Sequence, residues 1–206
     1  MKVKTILNIG VGSTFVVVIG AVLLIAARGH VGKSSSRLPV LGTVPEFALT
    51  EAGGDELQQS RLRGKVWIAS FIFTRCAEAC PMMMRKEVKL QTELPVRDDL
   101  RLVSFSVDPD WDTPKVLTEY AHTFSADRGR WLFLTGDRQQ IYRLANEGFR
   151  LSAEEADPVK EMPILHSSKL VLVDRNGLIR GYYDSLEEGA LQKLVRDVER
   201  LLAEKS

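Results

Sequence analysis

Hydrophobic positions divide the chain into one long apolar run near its amino terminus and several shorter runs over the rest. The long run, residues 6–27, contains no charged side chain. As a helix it would be about 30 Å long, which matches the hydrocarbon core of a bilayer. A cleaved signal peptide usually has a shorter apolar region, of about 7–15 residues. We therefore expect an uncleaved transmembrane anchor at residues 6–27, preceded by a short cytoplasmic tail at residues 1–5.

Polar residues separate this anchor from the next apolar run. Residues 28–43 are rich in Gly, Ser, Arg and Pro and show no hydrophobic period, which is typical of a linker. Basic residues nearly balance across the anchor, so the positive-inside rule does not fix its orientation. A short tail before a signal anchor usually stays inside, and no Arg-rich organelle transit peptide is present. We expect a single-pass protein of a bacterial inner membrane, with the domain 44–206 facing the periplasm or cell exterior.

The remaining apolar runs alternate with amphipathic segments. Four runs are apolar on both faces, as in strands of a sheet that is covered on both sides: Val66–Phe73, Leu102–Val107, Trp131–Leu134 and Leu170–Val173. Helices are predicted at 81–92, 114–124, 138–147 and 186–202, and hairpins at 47–57 and, through an Asn-Gly turn, at 170–183. This order predicts an α/β domain with a thioredoxin-like fold, in which helices flank a central mixed sheet.

Charge and cysteine content limit the range of possible functions of this domain. The formal charge is +1, and Lys and Arg are mixed among Asp and Glu without forming a basic stripe. We therefore expect no nucleic acid partner. Two cysteines cannot build a disulfide scaffold, and a domain of this size does not need one. Because only three residues separate the two cysteines, we expect a local, chemical role for them.

Cys76 and Cys80 lie in the turn between the first central strand and the following helix, where α/β sheets build their sites. Their Cα atoms, roughly 6 Å apart, would permit either a disulfide or shared binding of one metal ion. Pro81 suits the first helical position, so Cys80 is expected to cap the helix and to have a lowered thiol pKa. Arg75 would lower that pKa further, unless it is a solvated surface charge.

A third ligand would turn this redox pair into a metal site. Of the three histidines, His30 lies in the linker and His122 lies off the apolar face of its helix, so both are expected to be exposed. His166 immediately precedes a strand that should lie beside the cysteine strand, although a structural hydrogen-bonding role is the alternative. Two thiolates and one imidazole suit Cu(I), or Cu(II) with an added weak ligand. Zinc is the chemical rival, but a structural zinc site takes four protein ligands.

Three motifs in this order resemble the Sco/SenC family, thioredoxin-like copper proteins involved in cytochrome c oxidase assembly. They are Phe73–Pro81 with its Cys-x3-Cys-Pro, Ser106–Pro109 leading to Asp112-Thr113-Pro114, and His166-Ser167-Ser168 before the strand. The resemblance implies that Cys76, Cys80 and His166 are copper ligands, and the single N-terminal anchor also matches. Asp108 and Asp112 are expected to have structural roles, as capping or turn-forming carboxylates. Ala77 departs from the family, since many members have proline there, which bears on loop rigidity and redox potential.

The resemblance implies one of two functions. The first is a metallochaperone that takes Cu(I) or Cu(II) from other copper carriers and delivers it to the copper-bearing subunit of cytochrome c oxidase. The second is a membrane-anchored thiol-disulfide oxidoreductase that keeps the cysteines of that copper site reduced, for which two thiols suffice. A peroxidase-like or general disulfide enzyme on the same fold is a third interpretation, and the sequence shows no independent motif for it.

Overall fold

The computed structural model describes residues 37–77, 79–151 and 167–204. The predicted anchor at 6–27, the linker through Ser36, and both His30 and His166 lie outside these ranges. Within the described part of the chain, no helix is long and apolar enough to cross a membrane. From Leu38 onward, the described residues form one compact unit.

The described residues form an eight-stranded mixed sheet, as the alternating pattern predicted. Its order is β1-β8-β7-β4-β5-β6-β2-β3. Strands β4, β5 and β6 are mutually parallel, whereas β7, β8, β1, β2 and β3 pair antiparallel with their neighbours. The strands are β1 Gly42–Thr43, β2 Ala48–Glu51, β3 Glu56–Gln58, β4 Val66–Ile72, β5 Leu100–Ser106, β6 Trp131–Thr135, β7 Lys169–Val173 and β8 Leu178–Asp184.

Four α-helices flank this sheet in the described residues: α1 Ala79–Glu93, α2 Pro114–Thr123, α3 Arg138–Arg143 and α4 Ala190–Ala203. A 3-10 turn covers Gln59–Leu62, and a π turn at Leu144–Gly148 replaces the second half of the third predicted helix. The last helix begins at Ala190 and not at Leu186. Gly189 adopts φ of 81°, which interrupts a helix, and Leu186 is 47% exposed outside the buried stripe.

Burial explains why the central apolar runs form strands. All seven residues of β4 are buried, so both of its faces are covered. In the core, the rings of Phe71 and Phe105 stack at 5.1 Å between centroids, and Phe149 meets Phe71 edge-on at 5.2 Å. Burying each such ring contributes roughly 2–3 kcal/mol. This packing holds the end of β4, from which the cysteine segment leaves, at a fixed place in the sheet.

The folded domain begins six residues before Val44, the boundary that the sequence predicted. Leu38 packs against the core, and the Arg180 Nε donates hydrogen bonds to the carbonyl oxygens of Leu38 and Pro39, at 3.1 Å each. The pairing of β1 with β8 also brings Gly42 and Thr43 into the sheet. A two-residue strand is too short to show a hydrophobic period, and for that reason the pattern assigned this segment to the linker.

Candidate metal centre

The two cysteines lie side by side where the chain turns from β4 into α1. Both are thiols, Cys76 half-buried and Cys80 only 5% exposed. The backbone N–H of Cys80 donates to the Cys76 Sγ at 3.3 Å, and the two side chains are themselves hydrogen-bonded. A single ion can therefore be reached by both sulfurs, and Cys76 is the sulfur nearer to solvent.

The structure overturns the prediction that the Cys80 thiol has a lowered pKa. Because α1 begins at Ala79, Cys80 lies inside the first helical turn and is not the cap residue before Pro81. Burial is the main reason why the pKa of Cys80 is raised to about 12; a hydrogen bond with the Phe73 backbone opposes this, and the Cys76 side chain adds to it. The sulfur that accepts an amide hydrogen at the helix start is that of Cys76.

Two buried carboxylates hold the loop that leads to the thiols. Asp112 accepts hydrogen bonds from the Thr74 N–H at 3.1 Å and from the Ser106 hydroxyl at 2.6 Å. Asp108 accepts from the Arg75 guanidinium at 2.6 Å. The structural roles that the sequence predicted for both carboxylates are thereby confirmed, and the loop is fixed before any metal binds.

Arg75 was expected either to lower the thiol pKa or to be a solvated surface charge, and the structure shows neither arrangement. Its guanidinium is paired with the buried Asp108 and lies 4.8 Å from the ring centroid of Trp111, which is itself 53% exposed. The positive charge is therefore balanced by a carboxylate, and Arg75 is neither aimed at the thiolates nor solvated alone. Together Arg75 and Trp111 form part of the solvent-facing surface near Cys76.

Sequence reasoning missed a buried carboxyl group in α1. Glu87 is 2% exposed, and its carboxyl group is hydrogen-bonded with the hydroxyls of Ser70 and Ser104. Burial, partly opposed by these hydrogen bonds, raises its pKa to about 7. The available signal was spacing, since Glu87 follows Cys80 by two helical turns and so shares its buried face. Its charge also acts on the Cys80 thiol.

The third predicted ligand, His166, lies outside the described residues. Strand β7, which follows it, pairs with β4 as predicted, with Val171 opposite Ala69. Because the pairing is antiparallel, β7 begins at the sheet edge where β4 ends and the cysteine segment starts. His122 is exposed on α2, as predicted. Among the described side chains, no group of three or more His, Cys, Asp or Glu residues could hold a metal ion.

The sequence and fold were matched by known proteins over nearly the whole described domain. The family model of SCO1/SenC matches residues 39–203. The chain belongs to the SCO1/SenC family. A SCO1/SenC relative from Bacillus subtilis (strain 168), named SCO1 protein homolog, is 33% identical over 162 residues, which cover 78% of this chain and 83% of the relative.

Solved structures of the SCO1/SenC family share the fold. The crystal structure of a SCO1/SenC family lipoprotein from Bacillus anthracis str. Ames has a TM-score of 0.69 and 31% identity, covering 79% of this chain and 97% of that one. BsSco, a member of the Sco family of cytochrome c oxidase assembly proteins in which a disulfide switch was identified, has a TM-score of 0.66 and 28% identity, covering 81% and 98%. Copper-bound ScoI from Bradyrhizobium japonicum has a TM-score of 0.58 and 20% identity, covering 78% and 99%, and shows the fold alone.

Proposed function

We propose that this SCO1/SenC protein is a copper-binding metallochaperone that assists assembly of the copper centre of cytochrome c oxidase. The observation that carries the proposal is the pair of adjacent thiols, Cys76 and Cys80, at the end of β4. Thiolates are soft ligands that favour Cu(I) over harder divalent ions. The assignment of BsSco to cytochrome c oxidase assembly supports the same function here.

Copper would be the cargo of this site, and its ligands would be Cys76, Cys80 and His166. Two thiolates and one imidazole suit Cu(I) in a trigonal site and Cu(II) with an added weak ligand. The start of β7 at the cysteine edge of the sheet supports His166 as the third ligand, since His166 precedes that strand by three residues. Both thiols lose their protons on binding, so copper affinity should rise with pH.

Transfer of the ion requires that incoming ligands reach it from solvent. Cys76 is half-buried and Cys80 is buried, so Cys76 is the sulfur that another copper carrier, or the copper-bearing subunit of the oxidase, would meet first. Asp112 and Asp108 hold the preceding loop by hydrogen bonds. The loop before Cys76 would therefore need no reorganisation when the ion is exchanged.

The adjacency of the sulfurs also favours a second candidate, a thiol-disulfide oxidoreductase that keeps the oxidase copper-site cysteines reduced. The Cys76 thiolate would attack a substrate disulfide and form a mixed disulfide. Cys80, after losing its proton, would then attack the Cys76 sulfur and release the reduced substrate. The substrate disulfide gains two electrons from the cysteine pair, and the pair is thereby oxidised to a Cys76–Cys80 disulfide. The disulfide switch of BsSco supports this alternative.

Both functions fit a domain that lies outside the cytoplasm. We propose that residues 6–27 anchor the chain once in a bacterial inner membrane, with residues 1–5 inside and the domain in the periplasm or at the cell exterior. The uncharged apolar run supports the anchor.

The metal hypothesis is tested by titrating the reduced protein with Cu(I) and Cu(II), with two histidine variants compared. We expect one Cu(I) per chain, and His166→Ala should weaken Cu(I) binding by about tenfold or more and abolish the Cu(II)-thiolate absorption. His122→Ala, which changes an exposed histidine on α2, should match the wild type. Copper affinity that persists unchanged in the double variant Cys76→Ala/Cys80→Ala would contradict copper binding at this site.

The same His166→Ala variant separates delivery from reduction. A metallochaperone lacking this ligand should fail to support oxidase assembly in cells, although its thiols still reduce a model disulfide in vitro. Normal oxidase assembly with His166→Ala would contradict copper delivery and favour the oxidoreductase.

A further inference from the structure

Trp111 lies in the turn between β5 and α2 and is 53% exposed. The backbone of this turn is nevertheless held firmly. The Trp111 N–H donates to the Asp108 carbonyl oxygen at 3.0 Å, and the Trp111 carbonyl oxygen accepts from the Thr113 N–H at 2.8 Å. The next residue, Asp112, is fully buried. The turn therefore presents a large aromatic ring to solvent at a fixed position.

The guanidinium group of Arg75 lies over this ring, with 4.8 Å between its central carbon and the ring centroid. Two hydrogen bonds hold the guanidinium group, because its Nε and Nη2 both donate to one oxygen of the buried Asp108, at 3.0 and 2.6 Å. A pair that is held in this way loses little side-chain freedom when a partner covers it. Tryptophan and arginine are also among the side chains most enriched at the energetic centres of protein interfaces.

The surface formed by Arg75 and Trp111 borders the cysteine that is nearer to solvent. Arg75 directly precedes Cys76 in the chain, so their Cα atoms are about 3.8 Å apart. Cys76 is half-buried, whereas Cys80 is buried. A protein that brings its own ligands to an ion held by Cys76 has to approach within a few ångströms of that sulfur. It therefore meets the Arg75–Trp111 surface.

Two ion pairs make this surface nearly neutral. Arg75 is paired with Asp108, and Arg138 is paired with the exposed Asp110, which directly precedes Trp111. Because each cation faces a carboxylate, the surface has no strong net charge with which to steer an acidic or a basic partner. The exposed part of the aromatic ring is then the main source of attraction, and an apolar side chain fits against it.

We propose that Arg75 and Trp111 form the docking surface for the protein that receives copper from this chain, and that the copper-ligand loop of this protein places an apolar side chain against Trp111. The inference rests on the proposed copper function. Docking at this surface holds the accepting ligands beside Cys76 while the ion moves. Cu(I) keeps its oxidation state, the accepting thiols release their protons, and Cys76 and Cys80 regain theirs.

The test measures Cu(I) transfer from the full chain to two acceptors: the metal-free, reduced copper domain of the oxidase subunit, and the small chelator bathocuproine disulfonate. With the protein acceptor, we expect Trp111→Ala to raise the half-saturating acceptor concentration about 10–30-fold. Trp111→Phe, which keeps a ring, should restore part of this loss. Cu(I) affinity and transfer to the chelator should stay unchanged in both variants, because neither depends on docking.

Val96→Ala is the control for loss of an exposed apolar side chain. Val96 is 82% exposed just before the start of β5, whereas the cysteines follow the end of the parallel strand β4. This variant should transfer copper as the wild type does. Raising the salt concentration from about 0.05 to 0.5 M should change the half-saturating concentration by less than about threefold. A larger change would show that the acceptor docks through charge, which contradicts an apolar contact.

Each contrary result has a distinct meaning. A wild-type chain that binds no copper, or that passes none to the oxidase domain, would overturn the proposed function and this inference with it. If the wild type transfers copper and Trp111→Ala has the same half-saturating concentration, the inference alone is overturned. Slower transfer to both acceptors would also overturn it, because Trp111 would then shape the copper site itself. Loss of self-association in Trp111→Ala, with unchanged transfer, would assign the surface to a second copy of this chain instead.

Discussion

Glu87 occupies a position at which a helix packed on a sheet ordinarily carries an apolar side chain. It lies in α1, is 2% exposed, and is hydrogen-bonded with Ser70 and Ser104. The two serine hydroxyls are 2.8 Å apart, and the Trp131 indole N–H donates to Ser104 at 2.8 Å. The hydrogen bonds of Glu87 with Ser70 and Ser104 lower its pKa, but burial has the larger effect and raises the pKa to about 7. The stability of the fold should therefore depend on pH near neutrality.

We predict that Glu87→Gln removes a pH-dependent loss of stability. Between the ordinary value of 4.5 and the raised pKa of about 7, the folded chain retains a proton that the unfolded chain has released. The free energy of unfolding therefore falls as pH rises through this window, by roughly 3 kcal/mol in total for this one group. Urea unfolding of the wild type and Glu87→Gln at several values between pH 4 and pH 8 measures the difference.

Glu93→Gln provides the control for this prediction, since Glu93 is in the same helix but exposed and paired with Lys89. That variant should follow the wild type at every pH. Parallel pH profiles for Glu87→Gln and the wild type would show that Glu87 does not retain its proton in the fold.

At the level of elements, one carboxylate joins three segments around the thiols. Asp112, which is fully buried, receives hydrogen bonds from Thr74 in the cysteine loop and from Ser106 at the end of β5, and it directly precedes the α2 cap. The loop, the strand end and the helix are thus held at one point. Any loosening there should reach both the fold and the sulfur geometry.

We predict that Asp112→Asn lowers the free energy of unfolding by about 2–3 kcal/mol. The NH2 group of the asparagine side chain would replace one carboxylate oxygen, and a donor would then face the Thr74 N–H or the Ser106 hydroxyl. Cu(I) affinity should fall as well, since the loop before Cys76 loses its support. Denaturant unfolding and Cu(I) competition measure the two effects. Asp110→Asn is the control: Asp110 is 74% exposed and paired with Arg138, so it should change stability by less than about 1 kcal/mol. Equal losses in the two variants would contradict the role given to Asp112.

The same elements show what the sequence could and could not predict. Strands β4, β5, β6 and β7 were predicted within about two residues because their runs are long and apolar on both faces. Thr113 caps α2 by accepting a hydrogen bond from the Val116 N–H, and a threonine directly before a proline is a local signal of such a cap. The start of α1 was wrong by two residues, and the direction of the Cys80 pKa was wrong with it, because burial of a thiol depends on packing between elements.

On the scale of the whole molecule, the buried Arg180 in β8 binds the first residues of the folded domain, which are more than 140 positions away in the sequence. Arg180 is 7% exposed, donates to the carbonyl oxygens of Leu38 and Pro39, and is paired with the buried Asp174 at 2.7 Å. These carbonyls precede the two residues of β1, which add to the edge of the sheet beside β8. Residues 28–37 of the predicted linker directly precede this contact in the sequence.

We predict that a fragment of residues 44–206 is less stable than a fragment of residues 38–206 by about 2–3 kcal/mol. The shorter fragment leaves the Arg180 guanidinium buried with fewer acceptors, and removing a hydrogen bond to a buried charged group costs about 1.5–3 kcal/mol. Loss of the Leu38 packing and of β1 adds to this. Denaturant unfolding followed by tryptophan fluorescence measures the difference. Val40→Ala in the longer fragment is the control, because Val40 is 60% exposed and its truncation should have little effect. Equal stability of the two fragments would mean that the domain begins at Val44, as the hydrophobic pattern alone predicted, and that the Arg180 contact only accompanies the fold.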